Sequence, residues 1–105
     1  MSSSGVIAER QLLYSAKGDD RRRPFTIRLM APVLHRPDQK PFPMEKGSAV
    51  CTIAFDGLNE HGFDVHGIDS IHALAQAANV DEYLRGMTSK YEFYWPTGEP
   101  YFEDR

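Results

Sequence analysis

The sequence predicts an α+β protein: a single antiparallel sheet of four to five strands with one main helix packed on one face, in the order β-β-β-β-α-β. Three observations carry this. Apolar and polar residues alternate with period two in five short stretches. Glycine, proline and aspartate mark connections between the first four. The one stretch with helical spacing, Gly67 to Arg85, follows four strands instead of alternating with them.

The first strand spans Val6 to Tyr14. Val6, Ala8, Arg10, Leu12 and Tyr14 form its more apolar face, so Arg10 stands among core residues or near a sheet end where its head reaches water. Gly18-Asp19-Asp20 supplies turn chemistry, and Phe25 to Met30 alternates again, completing an antiparallel hairpin. Pro32 ends that strand. Residues 33–47 read as a proline-rich loop, because proline lacks an amide donor and fixes one backbone angle. The third strand is Ser48 to Phe55, with Cys51, Ile53 and Phe55 on one face. A turn at Asp56-Gly57, longer than two residues, leads to the fourth strand, Gly62 to His66, with Phe63 and Val65 facing in.

Asp69 or Ser70 caps the helix, since a short side-chain oxygen can accept from an amide of the first turn. Ile71, Leu74, Ala75 and Ala78 recur at spacings of three and four and are expected to face the sheet. Ala77, Val80, Leu84 and Met87 lie on a rotated face. A single helix with a broad apolar face is favoured over a break at Asn79 with Asn79 and Glu82 as a new capping pair. Gly86 stops it. Tyr91 to Trp95 is the fifth strand, pairing at an edge or beside the first strand. Pro96-Thr97-Gly98 turns into a polar tail, residues 99–105, that contains Tyr101 and Phe102.

The chain has 105 residues, enough for one domain with one core, and residues 1–5 read as a frayed end without a targeting signal. A net charge of −3 argues against a generic nucleic-acid binder, and no run approaches the ~20 apolar residues of a membrane span. One cysteine and no signal peptide suit a reducing cytoplasm.

Several motifs together carry a resemblance. They are Glu9-Arg10 followed by Leu12 and Tyr14, Pro24 leading into Thr26-Ile27-Arg28-Leu29, Cys51 in the third strand, Gly67-Ile68-Asp69-Ser70 with Ala73-Leu74, and Trp95 followed by Gly98. Over roughly Ala8 to Gly98 the chain resembles a family of small bacterial proteins of unknown function. The resemblance implies a bacterial, cytoplasmic, single-domain protein and supplies no catalytic residue.

Two sites are candidates. His61, Asp64 and His66, near Glu60, Asp69 and His72, hold the residue types of a metal or acid–base site, but lack the spacing of a known metal motif. Solvated polar residues are the simpler account of them. Tyr94, Trp95, Tyr101 and Phe102 concentrate aromatic surface at one end; half-buried edge-strand packing is the simpler account of them, and the alternative is an interface with a protein partner or a second copy. Cys51 packs as a small hydrophobe. Arg21-Arg22-Arg23 reads as a solvated turn whose field Asp19 and Asp20 reduce. Glu9-Arg10 and Arg28 are positioned for ion pairs across the outer face. No phosphate loop, dinucleotide fingerprint or triad is visible, and no cofactor is expected. The expectation is a non-catalytic protein-binding module, inhibitory or immunity-like, with a metal- or ligand-binding domain or enzyme using the His61–His72 region as the alternative.

Overall fold

The computed structural model describes residues 5–34 and 48–102. The elements are β1 (Val6–Ala16), β2 (Arg23–Met30), β3 (Val33–Leu34), β4 (Ala49–Asp56), β5 (Phe63–Gly67), α1 (Ser70–Ala77), α2 (Val80–Arg85) and β6 (Tyr91–Tyr94). The α+β class holds, with a larger sheet and two helices where one was expected. All strand pairs are antiparallel. The path runs β6-β1-β2-β4-β5, and β6 does pair with β1 as an outer strand. β2 ends at Met30, ahead of Pro32 as expected, and after the Ala31-Pro32 step a separate short strand, β3, runs along the same edge of β4 that β2 leaves, pairing Val33 with Val50 and Leu34 with Ala49. The rest of the proline-rich loop, residues 35–47, lies outside the described residues, as do 1–4 and 103–105.

One face of the sheet is apolar because alternation is kept through every register. Leu12 pairs with Phe25, Leu29 with Ile53, and Cys51 with Val65, so like faces meet. Leu12, Phe25, Ile27, Leu29, Ala49, Cys51, Ile53 and Phe93 are buried there. Burial of each large side chain contributes about 1.5–3 kcal/mol before its ordering entropy is set against it. The β4–β5 turn adds Leu58 to the core, an apolar residue that strand periodicity cannot reveal. The opposite face is polar. On it Arg28 reaches Glu9 Oε1 at 3.0 Å and Asp56 Oδ2 at 2.9 Å, and those two carboxylates, Asp56 first, raise its pKa. The cross-strand ion pair expected of Glu9 and Arg28 therefore forms, whereas Arg10 points to the other face.

The helix differs from expectation in two ways. Asp69 is the cap, its Oδ1 accepting from the His72 amide at 2.8 Å. Of the expected face, Leu74 packs against the core, but Ile71 is 77% exposed and Ala75 and Ala78 are exposed, whereas Ala73 and Ala77 are fully buried and Val80 and Leu84 continue their line. Size decides this. Gly67, at the end of β5, carries the helix backbone so closely that a Cβ there would lie 2.3 Å from the Ala73 nitrogen. Only alanines can face a sheet at that distance. The single-helix expectation also fails, because the chain breaks at Asn79. Val80, Tyr83 and Leu84 need more room than Ala73 and Ala77, and a second short helix can stand further from the sheet. The capping pair is not made by side chains: Asn79 forms no side-chain cap, and its carbonyl accepts from the Glu82 amide at 3.2 Å. Among the described residues no helix is long and apolar enough to cross a membrane.

The close seat of α1 gives a direct test. Gly67→Ala should lower stability by about 1–3 kcal/mol, the usual cost of overpacking a tight contact. Urea unfolding checks it; an unchanged midpoint would mean that α1 does not rest on Gly67.

Candidate functional site

The aromatic end is built by a hairpin that reading residues 99–105 as a polar tail does not anticipate. The Tyr101 amide donates to the Phe93 carbonyl at 2.9 Å, the Trp95 amide to Glu99 at 2.8 Å, and the Gly98 amide to Trp95 at 2.8 Å. Tyr94 bridges Pro100. Gly98 has φ +98, a conformation that a side chain would disfavour. The segment turns back because Tyr101 is apolar enough to bury its ring while its hydroxyl finds partners.

The four aromatic candidates do not form one patch. Tyr94 lies on the polar face of the sheet, where the Arg22 guanidinium sits 3.9 Å from its ring centre and its hydroxyl donates to Glu92 at 3.1 Å. Arg22 also donates to the Gly98 carbonyl at 3.1 Å, so one member of the arginine triplet is structural. Trp95 and Tyr101 lie on the helix side with ring centres 4.7 Å apart, and Phe102 packs edge-on to Tyr101 at 5.0 Å. Phe102 is half-buried beneath Arg85, whose guanidinium is 4.3 Å from the ring centre.

The helix-side group includes two residues outside the predicted four. Arg10 Nη1 donates to the Tyr101 hydroxyl at 2.5 Å, and that hydroxyl donates to Asp81 Oδ1. Arg10 and Asp81 stand 3.8 Å apart, and the guanidinium lies 5.6 Å from the Trp95 ring centre. Burial first, and then the bond to Asp81, pushes the Tyr101 phenol above its ordinary pKa. The phenol is therefore a neutral linker between a cation and an anion, and no base. Arg10 was conspicuous in the sequence as a charge on an apolar strand face. Asp81 had no signal until the helix break put it in the first turn of α2.

Arg10 also borders an apolar groove. Ala8, Ile27, Leu29, Ala78 and Val80 line it beside Arg10 and Glu9, the Glu9 carboxylate being turned to the opposite face with Arg28; its volume is about 190 Å³. It exists because α1 covers β4 and β5, leaving the start of β1 and the end of β2 without a helix above them. A larger cleft of about 340 Å³ lies between Lys17, Arg85 and Phe102 under β6, but its lysine is already met by Glu92 at 3.3 Å.

The histidine region is dispersed. His61 is exposed in the β4–β5 turn. Asp64 and His66 share the polar sheet face, and Asp64 accepts from Thr52 Oγ1 at 2.7 Å. His72 lies on α1, its Nδ1 accepting from the Ile68 amide at 3.0 Å. Glu60 instead holds Lys90 and the Tyr91 hydroxyl, each at 2.9 Å, and its pKa is lowered, by Lys90 first. Among the described residues no three His, Cys, Asp or Glu side chains converge to hold a metal. Cys51 is buried and donates to the Met30 carbonyl at 3.0 Å, and burial raises its pKa, the reverse of what a nucleophilic thiol needs.

What the fold and this site define is an α+β protein with an aromatic–arginine cluster beside a small groove. Compared with protein-family models, characterised proteins and solved structures, the chain has no match.

Two outcomes follow. Cys51 should label far more slowly in the native protein than in urea; rapid native labelling would show an open thiol. Tyr101 carries a pH signature: a raised native pKa means the folded state holds the proton more tightly, so the contribution is complete below about pH 10 and fades as the pH climbs through the higher native value. Tyr101→Phe should lose about 0.5–1.5 kcal/mol near neutrality and show a shallower alkaline loss than wild type, as read by urea unfolding across the alkaline range. A wild-type alkaline slope in the variant would remove Tyr101 as its source.

Proposed function

We propose that this chain is a non-catalytic protein-binding module whose contact surface is the Trp95–Arg10 cluster together with the adjoining groove. The observation that carries the reading is Trp95: it is 38% exposed, yet its ring packs at a 46° tilt against Tyr101 and is flanked by the Arg10 guanidinium. Tryptophan, tyrosine and arginine dominate binding energy at protein interfaces, above all when their rotamers are fixed in advance. Here the fixing comes from the Tyr101 and Asp81 hydrogen bonds. The groove, about 190 Å³, is below the ~300–1,000 Å³ of small-molecule pockets, a size that favours side chains of another protein over a cofactor.

Other features agree with the reading. A net charge of −3 and an Arg22 already committed to Tyr94 and Gly98 favour a protein over a nucleic acid. A lone buried thiol suits a bacterial cytoplasm, the setting that the family resemblance implies. A small module of this kind would act by occupying a surface of its partner, as inhibitory and immunity-like proteins do.

Pull-down of the tagged protein from a lysate of the source cells tests the reading. A stoichiometric partner retained by wild type and lost with Trp95→Ala is the expected result. Recovery of the bait alone, or of the same proteins with both baits, would overturn it.

A further inference from the structure

Resting on that reading, we infer that the groove receives a partner segment in which one bulky aliphatic side chain stands beside a carboxylate, the aliphatic group lying on Ile27 and Leu29 and the carboxylate meeting Arg10. Most of the groove's lining is apolar, from Ala8, Ile27, Leu29, Ala78 and Val80, which favours an apolar occupant. Its volume suits one large side chain. The rim then decides the neighbouring group. The Glu9 carboxylate is turned to the opposite face of the sheet, where it accepts from Arg28 Nε at 3.0 Å. Arg10 has five N–H donors, and among the described residues only its bond to Tyr101 is of hydrogen-bond length; Asp81 at 3.8 Å is not. A planar guanidinium with donors to spare, held in place by Tyr101 and Trp95, matches a carboxylate better than any other group on a protein. Arg10 and Ile27 are paired across β1 and β2, and both line the groove.

Asp81 makes the proposal quantitative. It is the resident carboxylate with which an incoming one must share Arg10. The chain's net charge of −3 provides no long-range attraction for an acidic segment, so recognition resides in the contact itself.

The probe is the peptide acetyl-Ala-Leu-Glu-Ala-amide, titrated into the full ¹⁵N-labelled chain. Expected are saturable shifts at the Ala8, Ile27 and Ala78 amides. Binding should be about fivefold weaker with Gln in place of Glu, the scale of one partly exposed ion pair, and absent with Ala in place of Leu. Arg10→Gln should erase the Glu/Gln difference, and Asp81→Asn should tighten binding of the Glu peptide. Ala78→Leu fills the groove from an exposed wall and should abolish binding while the spectrum stays folded. Equal affinity for Glu and Gln peptides, no saturable shifts, or shifts centred elsewhere would overturn the inference. A Trp95-dependent partner recovered while the peptides fail would overturn this chemistry and leave the binding module standing; peptide binding without any such partner would do the reverse.

Discussion

The close seat of α1 on Gly67 governs the rest of the structure. A glycine in the strand and alanines at 73 and 77 allow the helix backbone to lie almost against the sheet. A helix that low cannot continue into Val80, Tyr83 and Leu84 without forcing them into β4, and the chain steps outward at Asn79. That step brings the first turn of α2, with Asp81, to the end of the sheet where Arg10 and Tyr101 stand. It also leaves Ala78 and Val80 as a wall facing Ala8 and Leu29, and the space between is the groove. Helix break, polar cluster and groove are three consequences of one packing distance.

Arg10 is the costly residue in this arrangement. A cation on the apolar side of a sheet is tolerated only where its charge is hydrogen-bonded or reaches water. Arg10 does both, being about 45% exposed at its side chain and bonded to Tyr101. The ion pair with Asp81, at that exposure, is worth no more than ~1 kcal/mol, and the stacking on Trp95 about as much. Such sums do not explain why an arginine stands where a leucine would pack. Arg10 therefore adds little net stability where it stands, and it lies beside an exposed tryptophan, as the proposed contact surface requires.

Much of the fold was legible in the sequence because strand faces are written in period-two alternation, and a one-residue slip would have exposed Phe25, Ile27 and Leu29 together. The Asp69 cap was legible for a local reason, a carboxylate within reach of the His72 amide. What was not legible depended on size and distance. Hydrophobicity alone ranks Ile71 above Ala73 as a core residue, and only the approach to Gly67 reverses the order. Leu58 and β3 were hidden for a similar reason, since a turn residue and a two-residue strand have no period. Within the site, aromatic composition points to Trp95 and Tyr101, and strand alternation puts Arg10 among apolar residues. Their meeting with Asp81 is a contact over many residues of chain that no local pattern encodes.

Three titratable groups of the described residues are tied to structural partners. Catalytic groups need a pKa brought toward the working pH and an open path to substrate. In this chain the resolved shifts run the other way: burial holds Cys51 and Tyr101 more firmly protonated, and Lys90 holds Glu60 more firmly ionised. Each of these groups is committed to a structural partner, Cys51 to the Met30 carbonyl, Tyr101 to Arg10 and Asp81, Glu60 to Lys90 and Tyr91. Among the described residues the site also holds groups of another kind: an apolar hollow, a partly exposed indole ring and further donors of the Arg10 guanidinium. Those are groups that gain free energy by being covered, and an arrangement that holds them rigid before anything arrives is suited to a partner that covers all three at once.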